Sequence, residues 1–162
     1  MSEEIVKIGI IGIGNMGSSH VQRIAQGDIR GMKLAAVADR KENRRAWARE
    51  NLPAEVKIYE EGKDLLEDPE INAVLIAVPH YQHPGLSIAA MEHHLNVMCE
   101  KPAGVYTKQV REMIACADRH PEVTFAMMFN QRTNPVYIRM HELVQSGKYG
   151  KIKRVNWIIT DW

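Results

Sequence analysis

Short apolar runs alternate with longer segments of helical period along most of the 162-residue chain. The runs are continuous rather than interrupted by polar residues, which is typical of strands buried on both faces of a parallel sheet. Parallel strands need crossover connections, and the intervening segments are long enough to form helices. The sequence therefore predicts an α/β fold with an open, doubly wound parallel sheet. The predicted strands are Ile5–Ile11, Lys33–Ala38, Ala73–Val78, Asn96–Cys99 and Val123–Met128, and the predicted helices are Asn15–Ala25, Lys41–Glu50, Gly62–Leu66, Gln82–His93 and Thr107–Arg119.

The last 32 or so residues follow a different pattern, so we place a domain boundary near residue 130. A helix is predicted over Asn134–Ser146, with Pro135 near its start and Gly147 after its end. A strand is predicted over Lys151–Trp162, and a single strand needs a sheet to join. We interpret residues 131–162 as a connecting helix and the opening strand of a truncated second α/β domain. The alternatives are a late strand of the first domain and a strand that pairs with another copy.

Composition excludes several classes of protein. The chain has 21 Lys and Arg against 20 Asp and Glu, and a nucleic-acid-binding surface usually shows a marked basic excess. No apolar stretch reaches the length of about 18 residues that a membrane span needs. The two cysteines, Cys99 and Cys116, lie in apolar surroundings and predict reduced thiols in a cytoplasmic protein.

A glycine-rich segment directly follows the first predicted strand and opens the first helix. The first glycine permits the tight turn, the second lets a phosphate approach the backbone, and the third lets helix and strand pack closely. The helix N-terminus then offers N–H groups and partial positive charge to a diphosphate. No Gly-Lys-Ser/Thr sequence follows, which excludes a nucleoside-triphosphate loop. The segment predicts a dinucleotide site formed by Gly12, Ile13, Gly14, Asn15, Met16 and Gly17.

The residues that end the second predicted strand bear on which dinucleotide binds. Asp39 lies about twenty residues past the last glycine, where an acid accepts the ribose hydroxyls of NAD and repels a 2′-phosphate. Arg40 could stack on adenine or pair with the 2′-phosphate of NADP. We favour NAD, with NADP possible. Two other interpretations stay open: a glycine-rich turn without a ligand, and a methyltransferase that uses S-adenosylmethionine.

A charged pair and a proline, Glu100-Lys101-Pro102, directly follow the strand predicted over Asn96–Cys99. In open α/β sheets, ligands bind beyond the carboxyl ends of the strands, so Lys101 can reach a bound substrate there. A solvated loop lysine is an equally good interpretation of these residues alone. The sequence does not decide whether the bond before Pro102 is cis.

Taken together, several motifs resemble the glucose–fructose oxidoreductase/inositol dehydrogenase (Gfo/Idh/MocA) family. They are GIGNMG, AVADR, AVPHYQH and CEKPAG, with NQRTNP and GKIKRVNW further along. The resemblance covers essentially the whole chain. It implies an N-terminal dinucleotide-binding domain and a C-terminal α/β domain on a large, mostly antiparallel sheet, through which members associate as homo-oligomers. It also implies NAD(P)-dependent oxidation or reduction of hydroxyl and carbonyl carbons in sugars and cyclitols.

The resemblance further implies roles for individual residues. Lys101 is expected near the reacting hydroxyl and the nicotinamide, where it orients the substrate and polarises its oxygen. Glu100 is expected beside the nicotinamide ribose, and Arg132 near the substrate mouth. The nicotinamide end is expected to be lined by Pro79, His80 and His83. This chain has His80 where the family often has Asn, and from the residues alone His83 could equally be a capping or half-buried histidine.

The family's proton-transfer pair, an Asp and a His one helical turn apart, would fall after Trp162. We therefore expect this chain to be the cofactor-binding portion of an oxidoreductase, with little or no turnover alone. The alternative is a non-catalytic dinucleotide-binding or assembly protein. No metal site is predicted, because the histidines at 80, 83, 93 and 94 lack a Cys-x-x-Cys or His-Glu-x-x-His partner set.

Overall fold

The computed structural model describes residues 5–158 and 160. The chain divides into two compact units, one ending at Met128 and the other beginning at Phe129. No α-helix formed by the described residues is long and apolar enough to cross a lipid bilayer.

The first unit contains a six-stranded sheet in the order β3-β2-β1-β4-β5-β6, and all five strand pairs are parallel. This order is that of the doubly wound dinucleotide-binding fold, so the predicted fold class is confirmed. The helix that follows β1 packs on one face of the sheet, and the helix that follows β4 packs on the other face. This arrangement opens a crevice between the carboxyl ends of the two strands. The strands are β1 Val6–Ile11, β2 Met32–Ala38, β3 Lys57–Tyr59, β4 Ala73–Ile76, β5 Asn96–Cys99 and β6 Phe125–Met127.

Helices cover both faces of this sheet, as the continuous apolar strands require. One core cluster joins the sheet to Val21 of α1 and Ala48 of α2. The other joins it to Leu65 of α3, Met91 of α4 and Met113 of α5. The helices of the first unit are α1 Asn15–Ala25, α2 Glu42–Asn51, α3 Gly62–Leu66, α4 His83–Glu92 and α5 Thr107–Arg119.

Two elements of this unit differ from the sequence predictions. The strand β3, Lys57–Tyr59, was not predicted, because it is only three residues long and all three are half-buried. A fully buried strand such as β4 can be recognised in the sequence from its apolar run, whereas a short strand at a sheet edge has no such run. The helix predicted over Gln82–His93 is preceded by a 3₁₀ turn, His80–Gln82, and begins at His83.

The second unit begins with a 3₁₀ turn over Asn130–Thr133 and continues into helix α6, Pro135–Gln145. The Asn134 side chain caps this helix by accepting a hydrogen bond from the Val136 amide at 3.0 Å, with Pro135 at the first helical position. Within the same unit, the rings of Tyr137 and Trp157 stack with their centroids 5.5 Å apart.

The strand predicted over Lys151–Trp162 is not formed by residues 151–158 and 160, which have no regular secondary structure. The physical reason is the one that makes isolated strands unstable: backbone groups of a strand need partners on a neighbouring strand. No segment in the described part of the second unit is a strand. The remainder of the prediction falls on residues 159, 161 and 162, which lie outside the described residues.

Candidate functional site

A cleft of about 820 Å³ opens at the carboxyl edge of the sheet, where β1, β2 and β4 end. This is the point where the strand order reverses, and pockets of such folds lie there. The cleft brings together six of the residues that the sequence singled out. They are Gly12, Gly14 and Asn15 from the turn after β1, Asp39 and Arg40 from the end of β2, and Pro79 from the segment after β4.

The segment Gly12–Gly17, here called the glycine loop, has the shape that the motif predicts. Gly12 has a φ of +89°, and a Cβ there would lie 2.7 Å from the Ala77 carbonyl oxygen. A Cβ on Gly17 would collide with the Gly12 carbonyl oxygen, so the helix packs directly on the turn. Gly14 differs from both, because a Cβ there would meet nothing within 4 Å. Its backbone therefore faces open space where a phosphate can approach.

The start of α1 adds favourable electrostatics to the glycine loop. The first intrahelical bond runs from the Ser18 amide to the Gly14 carbonyl at 2.9 Å, so the amides before Ser18 have no partner within the helix. The first turn of α1 contains no acidic residue. Free amides and the positive end of the helix dipole together favour an anion such as a diphosphate.

Asp39 links the end of β2 to the glycine loop. Its Oδ2 accepts a hydrogen bond from the Ile13 amide at 2.9 Å, and its Oδ1 accepts one from the Lys41 amide at 2.9 Å. The Ile13 side chain is fully buried in the core, so Ile13 contributes its backbone to the loop rather than its side chain to the cleft. Each Asp39 oxygen keeps a second lone pair for a ribose hydroxyl.

Arg40 is paired with a carboxylate. Its Nε donates to Glu61 Oε2 at 2.9 Å, and its Nη2 lies 2.9 Å from the same oxygen. Both side chains are exposed, so the pair contributes little to stability. The effect of this pair on the cleft is electrostatic, because Glu61 and the neighbouring Glu60 add carboxylates to the wall that contains Asp39.

The segment Glu100–Pro102, here called the lysine loop, follows β5 and begins with a buried carboxylate. Glu100 is 5% exposed, and its amide donates to the Ile76 carbonyl at 2.9 Å. Its Oε1 lies 2.9 Å from Nε2 of His20 on α1, and its Oε2 accepts a hydrogen bond from the Lys101 amide at 3.2 Å. The carboxylate predicted to lie beside a ribose is thus held by α1 and by its own loop.

His20 was missed by the sequence analysis. The residue lies in the middle of α1 and reaches Glu100 across 80 positions of sequence. Neither residue belongs to a local motif that contains the other, so only the fold brings them together. The contact connects the helix that follows the glycine loop to the start of the lysine loop.

His83, which is predicted to line the nicotinamide end, is a buried residue at the start of α4. The side chain is 1% exposed. Its Nδ1 lies 2.7 Å from the Pro102 carbonyl oxygen, and its Nε2 lies 2.9 Å from the Val78 carbonyl oxygen. The ring is buried because it fills the space between the end of β4 and the lysine loop. A neutral imidazole has one N–H group and donates to one of these two carbonyl oxygens. A protonated imidazole has two N–H groups and donates to both.

The remaining predicted residues lie outside the lining of the cleft. Lys101 is exposed, and the Lys101–Pro102 peptide is cis. Met16 is 51% exposed at the start of α1, and the exposed His80 packs its ring against Tyr81 at a centroid distance of 4.7 Å. Arg132 belongs to the second unit, where its guanidinium lies 4.7 Å above the Phe129 ring.

A second polar cluster lies at the opposite, amino edge of the sheet. Nδ1 of His94 lies 2.8 Å from Glu122 Oε1, and Nδ1 of His120 lies 3.0 Å from the same oxygen. The pKa of Glu122 is lowered to about 2 by its own backbone amide, then by hydrogen bonds from His120 and His94. Within the described ranges, these three residues form the group whose donor atoms are close enough together to share a metal ion.

Comparison with known proteins agrees with this geometry. The sequence model of an oxidoreductase family with an NAD-binding Rossmann fold, GFO_IDH_MocA, matches residues 6–128. Inositol 2-dehydrogenase of Salmonella typhimurium is 28% identical over 90% of this chain and 43% of its own length. For myo-inositol 2-dehydrogenase of Thermotoga maritima, the identity is 32% over 90% of this chain and 42% of its own length.

Among solved structures, scyllo-inositol dehydrogenase from Lactobacillus casei with bound NAD(H) and scyllo-inositol superimposes with a TM-score of 0.85. It is 29% identical, and the match covers 90% of this chain and 42% of that protein. The chain therefore spans less than half the length of the relatives that it matches.

Proposed function

The chain belongs to the Gfo/Idh/MocA family of oxidoreductases, and from this membership we propose that it binds NAD(H) for hydride transfer to or from a hydroxyl-bearing carbon of a sugar or polyol. The observation that carries the proposal is the cleft in which Gly14 leaves open space beside the start of α1 and Asp39 closes the far side. A dinucleotide needs an anion site and a ribose acceptor at the two ends of such a crevice. The proposal assigns residues 1–130 to the dinucleotide-binding domain and 131–162 to the beginning of a second α/β domain.

The carboxylates of Asp39 and Glu61 favour NAD over NADP, and they act against the opposite charge of Lys41, Arg44 and Lys63 in the same lining. A 2′-phosphate would approach Asp39 and meet the nearby Glu61 carboxylate, while Arg40 is already paired with Glu61. Two carboxylates beside a phosphate raise the cost of binding, and an exposed arginine that is shared with a carboxylate compensates only in part.

Lys101 is the residue that we assign to the chemistry. NAD supplies the hydride acceptor when it is bound, and the Lys101 ammonium would orient the substrate hydroxyl and stabilise negative charge that develops on its oxygen. Its direction is set by its neighbours, because Glu100 and Pro102 are held by His20 and His83. His20 and His83 are therefore positioning residues in this proposal.

The relatives support a proposal for the substrate class. The similar proteins act on inositols by name, and the crystallised relative has scyllo-inositol bound. We propose a cyclitol or related polyol as substrate, with Arg132 at the substrate mouth and Pro79 and His80 near the nicotinamide. A homo-oligomer in the cytoplasm is the setting that the family and the two reduced cysteines favour.

A protein of these 162 residues is proposed to bind the cofactor with little turnover. The resemblance implies that the family's Asp–His pair for proton transfer is not among these residues, and such groups contribute about a hundredfold to ten-thousandfold in rate. The residues that would position the substrate carbon within reach of the nicotinamide also belong largely to the second domain.

Titration of the chain with NADH tests the cofactor proposal. The expected result is saturable energy transfer from protein tryptophan to the nicotinamide, with NADPH binding more weakly. The comparison variant is Gly14→Ala, in which a methyl group occupies the open space that the proposal assigns to the phosphate. Absence of a saturable signal up to millimolar NADH and NADPH, from a protein with native circular dichroism, would contradict the proposal.

A further inference from the structure

Three metal-ligating side chains from different segments converge at the amino edge of the sheet. His94 follows α4 directly before β5, and His120 and Glu122 lie in the turn between α5 and β6. The nucleotide cleft lies at the carboxyl edge of the same parallel strands, so this cluster is separate from it. The cluster has no part in the proposed hydride transfer.

The donor atoms have the chemistry and spacing of a transition-ion site. Imidazole nitrogens and a carboxylate oxygen are ligands that suit zinc and neighbouring divalent ions. The three donor atoms lie within 4.8 Å of one another. Zinc–ligand bonds of about 2.0–2.2 Å in tetrahedral geometry put neighbouring ligand atoms about 3.3–3.5 Å apart. The present N–O distances of 2.8 and 3.0 Å would therefore lengthen by a few tenths of an ångström, and the separation of the two imidazole nitrogens, which is at most 4.8 Å, would close to the same range.

The backbone at His94 gives a second reason to single out this cluster. His94 has a φ of +57°, in a helix-ending motif in which its amide donates to Met91 and the Leu95 amide donates to Ala90. Glycine is the usual residue at this position, because a side chain is disfavoured at positive φ. A histidine stands there instead, and its imidazole is directed at Glu122 and His120.

The cluster is also open to solvent. His94 and Glu122 are exposed, so an ion can reach them and keep water in its remaining coordination position. Three protein ligands and one water form a common arrangement around zinc.

From these contacts we propose that His94, His120 and Glu122 form a surface site for a divalent transition ion of the zinc class. The two imidazole Nδ1 atoms and one Glu122 oxygen supply the ligands. Each neutral ring then carries its hydrogen on Nε2, so the hydrogen now directed at Glu122 moves from Nδ1 to Nε2 by exchange with solvent and frees the Nδ1 lone pair for the ion. A bound ion would tie the turn before β5 to the turn before β6.

Calorimetric titration with zinc chloride tests this site, with magnesium chloride as the hard-ion comparison. The informative variant is His94→Gly, which removes a ligand and places the favoured residue at a positive φ. The variant is expected to keep or raise the melting temperature while it lowers zinc affinity at least about tenfold. The control is His93→Ala, which removes the neighbouring exposed histidine and is expected to leave zinc affinity unchanged.

Co²⁺ provides a direct view of the site, because its visible absorption bands intensify when it exchanges octahedral water for a four- or five-coordinate protein site. The proposal expects these bands in the wild-type chain and in His93→Ala, and their loss in both His94→Gly and Glu122→Gln. It is overturned if the wild-type chain binds zinc no tighter than millimolar, or if His94→Gly binds it as tightly as the wild type. These outcomes do not depend on NADH, so failure here leaves the proposed function untouched.

Discussion

The glycine loop and the lysine loop lie on the same edge of the sheet but are held in different ways. The glycine loop is fixed by its own backbone, with Gly12 at a φ that glycine favours and Gly17 in contact with the preceding turn. The lysine loop is fixed by side chains from elsewhere, His20 on α1 and His83 at the start of α4. A loop built from backbone can be recognised from local sequence, whereas one held by distant side chains can be recognised only in the fold.

The largest expected effect is a difference in stability between two glycine-to-alanine substitutions in the glycine loop. Gly17→Ala should destabilise the protein by about 1–3 kcal/mol, because the new methyl group collides with the Gly12 carbonyl oxygen. Gly14→Ala should leave the free energy of unfolding within about 0.5 kcal/mol, because its Cβ meets open space. Urea unfolding of both variants measures the difference, and equal destabilisation would contradict the assigned packing.

Asp39 joins the glycine loop to the proposed ribose site, so its removal should be the next largest effect. Asp39→Ala should weaken NADH binding about tenfold to a hundredfold, because it removes the ribose acceptor and the acceptor of the Ile13 amide. NADPH binding should fall less, since the carboxylate that repels its 2′-phosphate is also lost. Asp118→Ala, an exposed acid on α5, is the control, and equal losses for the two cofactors would remove Asp39 from the ribose role.

His83 is the test of the lysine loop. His83→Phe keeps a planar ring in the buried space but removes both contacts to main-chain oxygens. It should weaken NADH about threefold to tenfold while leaving ADP-ribose, which lacks the nicotinamide, nearly unchanged. A purely structural defect would weaken both ligands alike, and that result would argue against a positioning role. His93→Phe, on the exposed C-terminal side of the same helix, is the matched control.

The smallest effect is expected in the reactivity of the two thiols. The reactivity of Cys99 reports whether solvent reaches the end of β5, directly before the lysine loop. Burial raises the pKa of the Cys99 thiol to about 11 and also raises that of Cys116. At pH 8 the Cys99 thiol therefore remains protonated, and its reactivity should increase only as the pH rises towards 11. Ellman's reagent should label neither thiol of the native protein within minutes and both after unfolding. Rapid labelling of native Cys99 would show that the strand end before Glu100 opens.

The difference between the glycine loop and the lysine loop also explains which features of the fold and the site could be predicted from the sequence. Buried parallel strands such as β4 and the glycine loop follow from apolar runs and glycine spacing, since both are local patterns. Asp39 was found because its distance from the loop is characteristic of the fold. The contacts of Glu100 with His20, and of His83 with Val78 and Pro102, depend on tertiary packing that no local pattern contains.

The cluster at the amino edge was missed for the same reason. His94 and Glu122 are 28 positions apart and belong to no spaced motif, so no local pattern indicates that these side chains meet. The short edge strand β3 and the irregular segment 151–158 show a further limit. In both places, the conformation depends on available neighbours more than on residue preference.

The central claim is that the amides of the glycine loop bind the diphosphate of NAD while Asp39 binds the adenosine ribose. Amide chemical shifts recorded during titration of ¹⁵N-labelled protein with NAD⁺ test it most directly. The account predicts the largest shifts at Gly14, Asn15 and Met16, with Asp39 and Arg40 next and the cluster of His94, His120 and Glu122 unchanged. Saturable shifts confined to other surfaces, with the glycine loop unperturbed, would contradict it.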